Sequence, residues 1–344
     1  MTAVSLDTST FPYLSASLDS VEGLAHSRIS CWVHCLRDSL YAAGFKDTAR
    51  ALAQPVNFAV ERTADGELLT LYGGLDTDYH APRFQRGVRA RWETSPDSAD
   101  HALDVVEREL ARGHAVPVSP DLRGMRHSEF YRVPFSGYPH TFLVHRLAGD
   151  TAWAADRNTR RGSGFTDNRG TVPAEELRRG LAGRPVLVWD TGAPAEDWAD
   201  ERRLLLSRSV RNLTEPRSPH EGLAGLRTLP DVLAGLEEHP ARSSVLRMRV
   251  SGPLQRQVAG DRHLLAAALL RDVPVRDRGG RRAAAAAEAA GLLRASSAAF
   301  VDLARLVFLL SRSWSAEALD LCRRRVERIH DLDARAVERL AVLV

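Results

Sequence analysis

Lysine is all but missing from this 344-residue chain: Lys46 stands alone among 47 cationic side chains, the rest being arginine. We read that imbalance as the codon bias of a GC-rich bacterial genome, not as chemistry. A strong excess of either charge is missing too. The 47 basic residues face 44 acidic ones, for a net charge of +3. A dedicated nucleic-acid binder would concentrate a basic stripe, so no nucleic-acid partner is expected. Cysteine occurs only at Cys31, Cys35 and Cys322; an odd count of this size offers no disulfide framework and suits a reducing cytoplasm. Long hydrophobic runs are missing as well. The most apolar stretch, 298–310, is too short to span a bilayer and carries Asp302 and Arg305. The first residues, Met1 to Asp7, show neither a basic nor an apolar leader region, so no signal peptide and no membrane association are expected, and the expected location is cytoplasmic. The twelve histidines are scattered, and no Cys-x-x-Cys or His-x-x-x-His pair is present, which argues against a metal site. Gly73-Gly74 and Gly279-Gly280 lack the Lys-Ser or Lys-Thr of a phosphate loop. Without Gly-x-Ser-x-Gly a serine hydrolase has no support either.

What is present is the composition of an ordinary globular protein, 44% hydrophobic and 26% charged, long enough for two domains. Residues 1–20 read as a weakly structured N-terminal arm. From 21 to 190 the periods are mixed. A helix is predicted at 31–43, a strand at 68–72, and a helix at 101–112 on the stripe Leu103, Val106 and Leu110 that Gly113 ends. Strands follow at 114–118, 140–147, 151–155 and 185–189. Residues 191–220, rich in Pro, Asp, Glu and Ser, read as a connecting region with room for one helix. Beyond 221, apolar residues recur at three and four through 223–236, 254–270, 283–310 and 316–344, which predicts a helical domain over 221–344. The expected fold class is α+β followed by an all-α C-terminal domain.

Chemistry concentrates at Cys31. Leu36, Leu40 and Gly44 follow it by five, nine and thirteen residues; leucines four apart share a helix face, and the glycine is a stop signal. Cys31 then sits in the first turn with Ser30 as N-cap, where unpaired N–H groups and the positive dipole end favour a thiolate. Cys35, one turn inside, reads as a core thiol. Far along the chain, Tyr138-Pro139-His140-Thr141-Phe142-Leu143-Val144 and Trp153-Ala154-Ala155-Asp156-Arg157-Asn158 read as two strands, His140 entering the first and Asp156 leaving the second. A cysteine, a histidine and a group that orients the histidine are the parts of an activated-thiol acyl-transfer site. Cys31, His140 and Asp156 are therefore the expected catalytic residues. Each has a plainer reading: a buried thiol, a strand-edge histidine, and an aspartate in ordinary turn chemistry. His34 and His145 are decoys, His34 off the Cys31 helix face and His145 on the opposite side of its strand from His140.

This set of residues resembles papain-like enzymes of the bacteriocin-processing peptidase type. The layout of the whole chain is more similar to the butirosin biosynthesis protein H family, which joins an N-terminal papain-like domain with a Cys-His-Asp arrangement to a largely helical C-terminal domain. The resemblance covers most of the chain as layout and only short patches as residues. It implies a papain-like catalytic domain over 21–190, with Cys31 as nucleophile, His140 as base and Asp156 as its orienting partner. It further implies an acyltransferase of antibiotic or other secondary-metabolite biosynthesis. The acyl group would pass from an acyl-carrier-protein thioester to a small-molecule amine acceptor. No cofactor of the chain's own is implied, because the phosphopantetheine arm arrives with the carrier. Carrier proteins are usually acidic, and Arg178-Arg179 and Arg323-Arg324-Arg325 are candidate contacts, the plainer reading being a solvated helix face. Two departures stand out. The peptidases place an oxyanion-binding glutamine about six residues before the cysteine, where this chain has Ala25. Ser30 directly precedes Cys31, and Leu71-Tyr72-Gly73-Gly74-Leu75 only partly echoes the family's Gly-rich stretch. Two rival readings are a cysteine peptidase or amidase using the same triad, and a non-catalytic binding protein of papain-like shape.

Overall fold

Short aliphatic strands between two amphipathic stretches generate the N-terminal architecture, and a 3.6-residue period generates the rest. A computed structural model describes residues 4–5, 31–42, 52–62, 69–72, 83–84, 88–93, 99–129, 131, 140–166, 168–184, 186–190, 198–272 and 280–344. The chain order is β1 (Val4–Ser5), α1 (Cys31–Ala42), β2 (Ala59–Arg62), β3 (Leu69–Tyr72), β4 (Arg83–Phe84), β5 (Val88–Glu93), α2 (Ala99–Ala111), β6 (Val116–Val118), β7 (Phe142–Ala148), β8 (Thr151–Ala155), β9 (Arg169–Pro173), α3 (Ala174–Leu181) and β10 (Val186–Asp190). Five longer helices follow: α4 (Trp198–Thr214), α5 (Gly222–Ala234), α6 (Ala259–Asp272), α7 (Arg281–Arg312) and α8 (Ala316–Ala341). This is a mixed α+β chain with a helical C-terminal region. It divides into two compact units: Met1–Gly23, Cys31–Leu52 and Ala81–Glu196 form one, and Leu24–Ser30, Ala53–His80 and Asp197–Val344 form the other.

The first unit is built on a sheet of order β4-β5-β10-β6-β7-β8-β9, with β1 pairing β7 as well. Every pairing in it is antiparallel. Side chains alternate between the two faces of a strand, and here both faces are apolar. Phe142, Val144, Ala152 and Ala154 pack with Val105, Val106 and Leu110 of α2 and with Leu177 and Leu181 of α3. The alternate residues Leu143 and Ala155 cluster with Cys35 of α1 and with Ala115. Strands covered on both faces lose alternation and read as continuous apolar runs, which is why β7 and β8 stand out in the sequence. A register shift between Val144 and Arg146 puts one extra β7 residue, His145, at a bulge against β8.

The second unit places the hairpin-paired strands β2 and β3, in register Ala59↔Tyr72 to Arg62↔Leu69, with the helices. Phe58 stacks on Phe300 of α7 at 6.1 Å and shares a core with Leu226, Leu229 and Leu233 of α5. Leu303, Val307 and Leu310 of α7 join Cys322, Val326 and Ile329 of α8 in the same core. Between α5 and α6 the backbone winds as π-helix over Val245–Ser251 and Leu254–Val258. No helix among the described residues is long and apolar enough to cross a membrane.

Three expectations change. Within the 1–20 arm, Val4 and Ser5 form a strand on β7, opposite Leu147 and Arg146. The predicted strand at 68–72 is β3, but its unit is the helical one, so 21–190 is not one continuous body. The reason is physical: Phe58 and Val60 find their apolar partners on α5 and α7. The helix allowed for in the connecting region is the 17-residue α4, but it is no mere connector: its Leu205, Leu206 and Leu213 are core of the second unit. Ser30, Gly44 and Ala25, to which the sequence gives capping, stop and oxyanion roles, lie outside the described residues.

Candidate active site

Cys31 is the first residue of α1. The N–H groups of a first helical turn have no intrahelical acceptor and carry the positive end of the dipole. In helix α1, Leu36 and Leu40, one turn apart, are fully buried, and Cys35 packs with Leu143 and Ala155 of the sheet. Ser39 donates to the Ala115 carbonyl at 2.5 Å, so the helix is tied at its inner end to the residue that precedes β6. Cys31 is thereby placed relative to the end of the sheet where His140 and Asp156 emerge.

His140 and Thr141 lead into β7, and Asp156 leaves β8, the antiparallel neighbour. Antiparallel pairing brings the start of one strand beside the end of the next, so residues sixteen apart in sequence come into contact. His140 Nε2 lies 2.9 Å from Asp156 Oδ1. An ionised carboxylate can only accept, which makes Nε2–H the donor. Nδ1, the ring nitrogen that Asp156 does not engage, lies 3.2 Å from the Asn158 side-chain amide. His140 and Cys31 are hydrogen-bonded to each other. The Thr141 N–H also donates to Cys31 Sγ at 3.4 Å. The structure thus brings Cys31, His140 and Asp156 together.

The electrostatics run in the sense that nucleophile activation requires. Burial opposes the Cys31 thiolate, but the His140 charge and hydrogen bond, with the Thr141 N–H, outweigh it and hold the thiol below its ordinary range. Burial also disfavours the His140 imidazolium; Asp156 and Cys31 overcome it and raise its proton affinity. Asp156 is buried, which alone would raise it, yet the His140 charge and three hydrogen bonds keep it ionised. A thiolate–imidazolium pair braced by a carboxylate is the arrangement that results.

Three further groups take part; the sequence marked Cys35 as a core thiol and Asn158 as part of a turn, but gave His127 no role. His127, in the loop before β7, directs Nε2–H at Asp156 Oδ2, 3.0 Å away, so one carboxylate is held by two imidazoles. The His127 ring is stacked on Phe165 at 4.7 Å and 13° and meets Phe142 edge-on at 5.4 Å. The Asn158 N–H donates to Asp156 Oδ1 at 2.8 Å. That is the Asp-x-Asn turn the sequence suggests, and the same oxygen serves His140. Cys35 is the third. Burial, followed by the charges of Cys31, Asp38 and Asp156, pushes its thiol well up, and it donates to the Thr141 carbonyl at 3.5 Å. Ser119 Oγ and Thr141 Oγ1 share a hydrogen bond of 2.7 Å. Thr141, whose N–H reaches Cys31 Sγ, is therefore pinned from two sides. A signal for His127 was absent from the sequence because a loop histidine has no period, and its partner is 29 residues away.

The decoys fall elsewhere. His34 is buried on α1. His145 sits at the β7 bulge, where burial, then Arg169 and Arg146, lower its proton affinity to about 4. Beneath the site, Arg37 and Asp38 form a buried pair at 3.3 Å. Among the described residues no group of three His, Cys, Asp or Glu side chains is placed to hold a metal ion. No protein-family model and no curated protein matches this chain.

Proposed function

We propose that this protein is a cysteine acyltransferase with a papain-like catalytic unit, taking an acyl group from a carrier-protein or similar thioester and passing it to an amine. The observation that carries the reading is the hydrogen-bonded chain Cys31–His140–Asp156, with Nε2 of His140 committed to Asp156 at 2.9 Å and the Thr141 N–H on the sulfur. The Cys31 thiolate attacks the thioester carbonyl. The tetrahedral oxyanion develops at the N-terminal end of α1, where the positive end of the helix dipole favours negative charge. Its collapse breaks the donor C–S bond, and the leaving pantetheine sulfur takes the His140 proton. Neutral His140 then accepts a proton from the attacking amine as the amide forms and Cys31 is expelled as thiolate. Asp156 keeps Nε2 protonated and the ring aligned through both steps.

Transfer is favoured over amide hydrolysis by chemistry and by composition. Exchange between two thioesters is nearly isoenergetic, whereas amide cleavage leans harder on the oxyanion donors, each worth roughly 3–4 kcal/mol. Ala25 stands where the peptidases place their donor glutamine. In this reading the partners are an acyl carrier protein and a small-molecule amine, and the phosphopantetheine arm comes with the carrier.

The test is intact-mass analysis after incubation with an acyl-pantetheine or acyl-carrier thioester, beside Cys31→Ala and Cys35→Ala. The expected result is an acyl adduct lost only in Cys31→Ala and discharged by an amine. Reaction of Cys31 with iodoacetamide but with no thioester would move the assignment to a peptidase or amidase. An inert Cys31 would leave a non-catalytic binding protein.

A further inference from the structure

Helices α7 and α8 form an antiparallel hairpin whose inner faces are core and whose outer faces meet in an open groove. Leu303, Val307 and Leu310 of α7 and Cys322, Val326 and Ile329 of α8 are all buried inward. The outward stripe of α7 is Asp302, Arg305 and Leu306, and that of α8 is Leu321, Arg324, Arg325 and Arg328. Their spacings of three, four and seven put each set on one helix face. Together they line a cleft of about 550 Å³.

Two features of this cleft ask for an occupant. The first is charge. Four guanidiniums line it against one carboxylate, Asp302, which lies 3.5 Å from both Arg305 and Arg325. Asp320 pairs Arg324 from beside it. Exposed pairs of this kind are worth at most about 1 kcal/mol, so the clustering of arginines does little for the fold. The second feature is apolar surface. Leu306 is half-buried at the floor, Leu321 is 39% exposed, and Leu309, one turn beyond Leu306 on the same α7 stripe, is 57% exposed. Leu321 and Leu309 are two of the six large apolar residues that stand exposed among those described.

We propose that this groove docks an acidic amphipathic helix of a partner protein. An apolar floor between two helices accepts anchors at positions i, i+3/i+4 and i+7 of an incoming helix. The flanking guanidiniums would meet Glu or Asp on either side of those anchors and set its register. The stripe from Leu321 to Arg328 runs for about 10 Å, two turns of helix, which matches a helix of two to three turns. A second copy of this chain is a poor occupant, because a two-fold contact would set arginine against arginine. A nucleic acid would leave the leucine floor unused and bring phosphate to Asp302. Arg324 and Arg325 are among the arginines the acyltransferase reading offers to an acidic carrier, but the inference does not depend on the Cys31 chemistry and its test does not use it.

The experiment is fluorescence anisotropy of the full chain with a fluorescein-labelled helical peptide. The peptide carries Leu on one face and Glu on both flanks. A scrambled peptide of the same composition, a Lys-for-Glu version and anionic phosphatidylglycerol vesicles serve as comparators. We expect micromolar binding of the patterned acidic peptide, weakened about tenfold or more in Arg324→Glu/Arg328→Glu and in Leu321→Asp, and falling with salt. All three positions are exposed, and circular dichroism verifies that the variants keep their fold. The proposal is overturned if the patterned peptide fails to bind or binds the variants as well as the parent. Equal binding of the scrambled peptide overturns it too, as does capture of vesicles, but not peptide, that the substitutions abolish.

Discussion

At Cys31 and His140 the proton affinities are drawn in opposite directions, the thiol down and the imidazole up. For His140, raised above its unfolded value of about 6.5, the stabilisation is full below that pH and is lost as pH rises through the folded value. For Cys31, depressed from about 8.5, it is full above that pH and is lost as pH falls through the folded value. Between the two folded values the ion pair is the resting state, and the proposed transfer should follow a bell-shaped pH profile across that window. Iodoacetamide at about pH 6 should label Cys31 first. Burial pushes Cys35 well up and Cys322 up to about 11, and both should stay unmodified. Peptide mass mapping reads the order, and labelling of Cys35 ahead of Cys31 would dismiss the ion pair. His127 acts through Asp156 and is a positioning residue. His127→Phe keeps an aromatic ring beside Phe165 but removes the 3.0 Å hydrogen bond. We expect kcat to fall about tenfold to a hundredfold with little change in KM, and His127→Gln to recover part of it. A change in KM alone would refute that role. Cys31, His140 and Asp156 were legible because each marks the end of a periodic segment. His127 lies in a loop, and only the folded chain puts it on Asp156.

The elements differ in how plainly they can be read, and the reason is how much each one buries. Helix α1 was legible from Leu36 and Leu40, which are fully buried, and β7 and β8 from their continuous apolar runs. Strand β9, Arg-Gly-Thr-Val-Pro, buries only Val172 and escaped notice, yet it supports the site. A methyl group at Gly170 would lie 2.5 Å from the Phe165 ring, the ring stacked on His127 at 4.7 Å. Gly170→Ala should therefore cost about 1–3 kcal/mol by overpacking and also slow transfer through His127, although position 170 touches neither sulfur nor imidazole of the triad. Denaturant unfolding and steady-state kinetics on the same variant separate the two effects. Unchanged kinetics would show that Phe165 does not set the His127 ring. Strand β5 alternates Val, Ala and Trp with charged residues, and it becomes a strand by pairing in register with β10 from Arg89↔Asp190 to Glu93↔Val186.

At the scale of the molecule, each unit carries a buried ion pair that the apolar pattern does not announce. In the second unit Arg262 is fully buried, with Nε 3.1 Å from both carboxylate oxygens of Asp333 and Nη1 on the carbonyls of Asn57 and Val258. Ser296 donates to Asp333 as well, at 2.6 Å. Asp333→Ala strands this guanidinium and should destabilise the unit by about 3–5 kcal/mol, read as a lower urea midpoint. A midpoint unchanged within error would mean that water or another acceptor replaces the carboxylate. Sequence alone determined the class of the chain, the helical character of its C-terminal part, and the three residues at which an activated thiol would be built. Those features depend on periods of two and 3.6 and on helix-end chemistry, which neighbours along the chain encode. Tertiary structure decided that residues 53–80 belong with the helices and that Val4–Ser5 adds to the sheet. It also decided that Asp156 is gripped by two imidazoles and that arginines from α7 and α8 share one groove. Each of these joins residues far apart along the chain, and burial and hydrogen bonding select such pairings only once the whole chain has packed.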